Sequence, residues 1–367
     1  MPARTPGSRR ASSHRSPLTR RGKVLAAVAT VAVVTVGAFG YYALFPDRAP
    51  AFVRGAIASV GLAEAAPPPP PTCPLTGEQA PGGGVPERPA LAIKVENHPE
   101  ARPQAGLNQA DVVVEEPVEG GYTRFIAIFH CERSGRVGPV RSGRMTDPDY
   151  LRQYGRALIG YSGGVSAVKT RISRSGLLDV SYDVATEAYA RDPSRNAPHD
   201  LYTRTADLWK AGRASKSAPG PVFTYADAWA GRAKRASSVH LPYSSVSDVF
   251  WTWSRRDGGW LRSHGETPHT LEDGSQVSAT NVVIQVVEVT ASHIFDAAGN
   301  PSPDVELTGS GRAYVLRDGR VIVGRWERES LDDLTRFVTR DGTEIALAPG
   351  RTWVELLPST VVLEIAR

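Results

Sequence analysis

Cysteine and methionine are scarce in this sequence, two of each among 367 residues. Cys73 and Cys131 do not form a Cys-x-x-Cys pair, which excludes a zinc ribbon and a thioredoxin-like redox motif. No His-Glu-x-x-His run and no phosphate-binding loop with its lysine occurs, so the common metalloprotease and nucleotide-binding signatures are missing. No internal repeat period emerges, which argues against a solenoid or propeller. A net positive balance is also lacking once the location of the charge is considered. The chain carries +5, but Arg4, Arg9, Arg10, Arg15, Arg20, Arg21 and Lys23 all stand at its start without any acidic residue. Setting these seven charges aside leaves about −2 for the rest, so the broad basic footprint of a nucleic-acid binder is lacking. No nucleic-acid partner is expected.

What is present begins with that basic tail, residues 1–23, followed by Val24–Phe45, an apolar run without a charged residue. The ~20 residues that cross a hydrocarbon core as a helix fit within it. Arginines on its N-terminal side predict one transmembrane helix with the N-terminus in the cytoplasm and the folded part outside, on a bacterial cytoplasmic membrane. A cleaved signal peptide is the alternative, although its apolar core would be shorter, about 7–15 residues. Residues 46–88 are rich in proline, alanine and glycine, and Pro67–Pro71 is unbroken proline. Such a run is stiff polyproline II, so the stretch reads as a stalk. Both cysteines fall in the exported part, where an oxidising compartment lets Cys73 pair with Cys131; two independent thiols are the other possibility.

The remainder predicts an α+β fold: a layered sheet-and-helix domain over 89–235, then a mostly β domain over 236–367. In the first, Ala90–Val95, Asp111–Glu116, Tyr122–Cys131 and Ala157–Ser162 read as strands. Helices are expected to open at Asp147, as N-cap with Pro148 behind it, and over Val165–Ser173 and Thr203–Lys210. In the second, Asp257-Gly258, Asp273-Gly274, Asp318-Gly319 and Asp341-Gly342 mark turns. The clearest strands there are Val249–Trp253, Asn281–Thr290, Ala313–Leu316, Val321–Trp326, Glu344–Leu347 and Thr352–Leu357.

The segment from Lys94 to Asp111, KVENHPEARPQAGLNQAD, resembles the opening signature of the YerB-like family of bacterial envelope proteins. Further matching blocks are Glu115, Pro117–Gly121, Thr123–Phe125, Gly138–Arg144 and Ala197–His199. The second region matches through Asn281–Val283, Gly309–Gly311, Gly324–Trp326 and Pro349–Trp353. Together they span most of residues 73–358 in order. The resemblance implies a two-part α+β envelope protein and no particular reaction. Many members are lipoproteins with a cysteine directly after a short signal peptide. Here no cysteine directly follows Val24–Phe45, and Cys73 comes only after Pro71-Thr72, so a peptide anchor is expected in place of a lipid.

The densest polar group is Glu115, Glu119, Arg124, Arg141, Arg144 and His199, with Asn97 and His98 nearby in the opening signature. Strand alternation puts Arg124 on one face with Ile126 and Ile128, where a charge needs a partner. Arg141 and Arg144 precede a helix start, and arginines there suit a carboxylate or phosphate. Glu115, Glu119 and His199 are the candidate acid, base and catalytic residues, given that two carboxylates of separated pKa can divide acid and base work. The bland reading is a salt-bridge network. Ser162-Gly163-Gly164 reads as a plain strand-to-helix turn. His264 and His269 lack the partners of a zinc site, and neither a metal nor a cofactor is expected. The tryptophans of the second region, among them Trp251, Trp260 and Trp353, read as core. These features lead to a binding or scaffold module for cell-wall polymer or an envelope protein; the alternative is a peptidoglycan hydrolase or transferase.

Overall fold

In the computed structural model, residues 69–212, 217–229, 232–296 and 299–367 are described, with 41, 42, 45, 48–50 and 53 before them. Nearly all of Val24–Phe45, expected to span the membrane, lies outside the described residues. Among the described residues, no helix is long and apolar enough to cross a membrane. Pro70–Arg367 forms one compact unit. Residues 70–88, expected as the end of the stalk, therefore belong to the fold. The disulfide Cys73–Cys131 ties this segment down, with a sequence separation of 58 and Ala80 packed beside it.

Strand outweighs helix, 40% against 15%, so the fold is mostly β with few helices. Its centre is an 11-stranded sheet. Strands β1 (Leu91–Glu96), β2 (Val112–Pro117), β3 (Thr123–Phe129), β4 (Leu158–Gly160) and β5 (Leu178–Asp179) form one half. β3 lies antiparallel between β1 and β2, while β4 runs parallel to β1 and β5 to β4. The other half comes from the second sequence region. Thr352–Pro358 runs parallel to β2, pairing Val113 with Trp353 and Glu115 with Glu355. Asn281–Val287, Gly309–Arg317, Arg320–Arg328 and Arg336–Val338 continue outward from it. The two regions thus share one sheet. Strands β1 and β2 are buried on both faces, as a central strand must be, and carry the charges Lys94, Glu96, Glu115 and Glu116 among their apolar residues.

One face of this sheet is covered by a second, 6-stranded sheet that includes Ser238–Ser244, Ser247–Ser254 and Gly259–His264. Trp251, Trp260 and Trp353 meet Phe125, Val113 and Val239 between the layers. The opposite face packs Ile126, Ile128 and Val114 against Tyr150 and Leu151 of the helix Thr146–Leu151 and against Val168 and Ile172 of the helix Ser166–Arg174. Asp318-Gly319 makes the expected tight hairpin, with φ of 53° and 64°, both positive as that turn needs.

Several local expectations shift. Asp147 does not cap its helix; it lies inside Thr146–Leu151, accepts the Arg144 N–H and pairs with Lys94. Burial of Lys94 demands that pairing, and the demand outweighs the capping preference. Asn281–Thr290 breaks into Asn281–Val287 and Val289–Phe295, the latter pairing with Pro301–Val305. Glu344–Leu347 makes only isolated bridges, from Glu344 to Val338 and from Leu347 to Tyr225.

Candidate functional site

Alternation along β1 to β3 divides the candidate residues between the two sheet faces. Asn97 and Glu115 fall on the face under the second sheet. There Arg262 donates to both Glu115 oxygens, at 2.9 and 2.8 Å from Nη2, with both side chains fully buried. Thr123 donates its hydroxyl to the same carboxylate at 2.6 Å, and the Asn97 amide donates to Thr123 at 2.7 Å. Arg262 also meets His269, whose other nitrogen contacts Gln104. Burial and then the Arg262 charge hold His269 well below the usual histidine range, in its neutral form. Beside Glu115, burial and then the Glu115 charge raise the Glu355 carboxyl well above its usual value, and Trp251 and Tyr243 donate to it. This group is sealed between the sheets, so Glu115 is a tie between layers that substrate cannot reach.

The other face carries Lys94, Glu96, Glu116, Arg124, Arg141, Arg144, Glu119 and His199. Lys94 is fully buried between Glu116 and Asp147. Burial first, and Asp147 against the opposing pull of Lys94, pushes the Glu116 carboxyl up to about 7. Glu96 takes His199 Nδ1 at 2.8 Å and forms an ion pair with Arg141 Nε at 2.9 Å. Arg144 donates Nε to Glu119 at 2.8 Å, and Ser302 donates its hydroxyl to the other Glu119 oxygen at 2.5 Å. Burial alone would raise the Glu119 carboxyl, but Arg144 and Ser302 outweigh it and hold it below the ordinary range. A carboxylate fixed in that way positions an arginine; it is a poor proton donor at neutral pH.

Arg124 stands apart from this pairing. Its neighbours across the ladder are Glu96 on β1 and Glu116 on β2, both on its own face. Each is engaged elsewhere, Glu96 by Arg141 and His199, and Glu116 by Lys94. Arg124 consequently has no hydrogen-bond acceptor among the described residues, and its Nη1 is buried without one. Burial, then the neighbouring Arg144 and Arg141, bring its pKa down to about 10. It remains charged at neutral pH.

The loop from Arg141 to Arg144 is held against the turn after β4. Ser162 N–H donates to the Arg141 carbonyl at 3.0 Å, and Gly143 N–H to the Gly163 carbonyl at 3.2 Å. A Cβ on Gly143 would lie 3.2 Å from Ile172 and 3.3 Å from Tyr161, so glycine permits this close approach. Together with Gly160, the sequence Gly160–Gly164 spells Gly-x-Ser-x-Gly between strand and helix, a match that reading Ser162-Gly163-Gly164 as a turn passes over. Ser162 nevertheless lacks the positive φ of a strained nucleophile elbow, and no described histidine or carboxylate hydrogen-bonds its hydroxyl. The turn reading suits the geometry.

The described chain is matched over residues 75–218 by the N-terminal domain and over 239–354 by the C-terminal domain of the family described as "Protein of unknown function (DUF3048)". The chain belongs to this YerB-like family. A Bacillus subtilis (strain 168) protein named "Putative lipoprotein YerB" is 30% identical over 308 residues, 80% of this chain and 88% of that protein. The crystal structure of the YerB protein from Bacillus subtilis superposes with a TM-score of 0.69 at 26% identity, covering 80% of this chain and 99% of that one. Both halves of the central sheet are thus family features. Sequence reasoning missed Glu96, Arg262 and Ser302. Alternation with Lys94 places Glu96 on the arginine face and was available. Ser302 lies 183 residues from Glu119 and carries no local signal.

Proposed function

We propose that this YerB-like chain is an extracytoplasmic envelope protein that binds an anionic group, phosphate or carboxylate, of a cell-wall polymer through Arg124, Arg141 and Arg144. The observation that carries the reading is Arg124, a charged guanidinium with no acceptor beside two further guanidiniums. A desolvated cation without a partner costs stability, and an incoming oxyanion supplies the missing acceptor in a charge-assisted bond. Arg141 is about one-quarter exposed, which gives a ligand access. Placement outside the membrane is supported by the basic tail before Val24–Phe45, which favours a single-pass anchor with its N-terminus inside. The lipoprotein name of the Bacillus relative agrees with an envelope location. The geometry gives a hydrolase less support, since Glu115 and Glu119 sit in separate groups and each is locked by an arginine.

The test is co-sedimentation of the full chain, in mild detergent, with isolated cell walls before and after removal of their phosphate-containing polymers. Binding that falls at least ~10-fold with Arg141→Ala and with polymer removal supports the reading. Equal sedimentation of wild type and Arg141→Ala counts against it. Release of soluble wall fragments would replace it with the hydrolase.

A further inference from the structure

Beyond the arginine face, two histidines about a hundred positions apart in sequence come together with a glutamate. His98 caps the short 3-10 turn Pro99–Ala101, and Glu100 lies within that turn. His199 arrives from the loop after Pro198. The His98 and His199 rings stack at 5.4 Å with 13° between their planes. One ligand atom from each of His98, Glu100 and His199 lies within 4.8 Å of the others. We propose that these three residues bind a divalent transition-metal ion, zinc by the character of its donors, at the edge of the cavity lined by Glu100, Arg102, Ser194, Arg195, Asn196 and His199.

The argument rests on the orientation of His199. Its Nδ1 faces Glu96 at 2.8 Å and its Nε2 faces Glu100 at 3.1 Å. In the neutral ring, the Nδ1 proton goes to the buried Glu96 carboxylate, so the Nε2 lone pair points at a second carboxylate. That arrangement calls for a cation between Nε2 and Glu100. A carboxylate behind a histidine is the usual support of a metal ligand, fixing tautomer and ring together. Ligand atoms of a tetrahedral zinc site at ~2.0–2.1 Å from the ion sit about 3.4 Å apart. His199 and Glu100 already meet that spacing, and only His98 has to draw in. Its Nδ1 accepts the Glu100 N–H in a long contact of 3.3 Å, a weak bond to exchange for a metal.

Two imidazoles and one carboxylate leave a coordination position free, as in sites that keep a water. Of the two arginines on the cavity wall, Arg195 is paired with a carboxylate, and Arg102 is held by backbone but keeps a buried Nε without an acceptor. Arg102 donates to the Asn97 carbonyl, and Arg195 donates to the Ala101 and Pro103 carbonyls and pairs with Glu272. The exposed Glu100 carboxylate remains to favour the cation, while Glu96, shared with Arg141, orients the His199 ring. Absence of any local motif explains the expectation of no metal from sequence: the donors sit on two loops that only the fold joins.

The competing account is a His199 imidazolium donating to both carboxylates without metal. To decide, the untagged full chain is stripped with chelator and titrated with Zn2+ alone in phosphate-free buffer, then dialysed and its metal content measured. Co2+ substitution adds a coordination-sensitive absorption spectrum. Expected are one zinc per chain, affinity lowered at least ~10-fold by Glu100→Gln or His98→Ala, and proton release on binding. Glu100 is 73% exposed, so its substitution leaves the fold intact. Less than one zinc per chain in the wild type, or equal binding by the double variant His98→Ala/Glu100→Gln, overturns the proposal. Either failure leaves the arginine reading standing, because no anion takes part in the measurement.

Discussion

Replacing Arg124 by methionine separates a binding residue from a structural one. The substitution keeps an aliphatic stem of similar length and removes the charge. An arginine whose folded pKa lies below its unfolded value destabilises the folded state at every pH under that folded pKa. Here the drop runs from 12.5 to about 10. At ~1.4 kcal/mol per unit this sets an upper bound of about 3 kcal/mol, and contact with solvent reduces it to about 1–2 kcal/mol. Arg124→Met is therefore expected to raise the melting temperature by a few degrees at pH 7. Inorganic phosphate should stabilise the wild type, by about 2.7 kcal/mol at a hundred times its Kd, and should have little effect on the variant. Differential scanning calorimetry with and without phosphate reads both effects. A variant destabilised by more than ~1 kcal/mol, with an unchanged phosphate response, would refute the reasoning and make Arg124 an ordinary structural cation.

The sealed group predicts the opposite. Arg262→Met leaves the Glu115 carboxylate buried without its bidentate partner, and denaturant unfolding should show a loss of about 3–5 kcal/mol. Cys73→Ser or Cys131→Ser opens a loop spanning 58 residues; the chain-entropy argument gives a loss of about 4 kcal/mol in the same assay, matched by reduction of the wild type. Asp111 and Glu116 should pull stability down as pH rises from about 4 to about 7, against the buried neutral His264 and His269, which pull it up below the ordinary histidine range. Burial raises Asp111, and Glu116 likewise, from the ordinary carboxylate range to about 7, so over that interval these two groups bind more protons in the folded state than in the unfolded one. Chemical denaturation across this range should show the wild type losing stability relative to Asp111→Asn as pH rises. A stability difference between wild type and Asp111→Asn that stays constant across the interval would refute the reasoning.

Much of the strand plan was legible in the sequence because it rests on local chemistry. Short apolar runs mark β1, β2 and β3, as Leu91–Ile93, Val112–Val114 and Phe125–Phe129, and Asp318-Gly319 can adopt positive φ with little cost. The alternation that put Arg124 with Ile126 and Ile128 follows from the two-residue period of a strand and holds in the fold. Helix boundaries were less legible. Asp147 has the chemistry of a cap, yet the buried Lys94 claims it, and the identity of that lysine's partner depends on chain far away in sequence.

The sequence by itself carried the family resemblance, an α+β reading with a strand-rich second region, and the face on which Arg124 lies. Each depends on residue type and short-range period. Tertiary structure alone decided which charges are partnered. Glu115 and Glu119 stand four positions apart, yet one is sealed by Arg262 between two sheets and the other is held by Arg144 and Ser302 on the opposite face. Thr352–Pro358 joined the two regions by settling beside β2, and the loop carrying His199 reached Glu96 and Glu100. A carboxylate's protonation and availability depend on burial and on which cation lies within a few ångströms. Distances of that kind are set by the packing of layers, which no local stretch of sequence encodes.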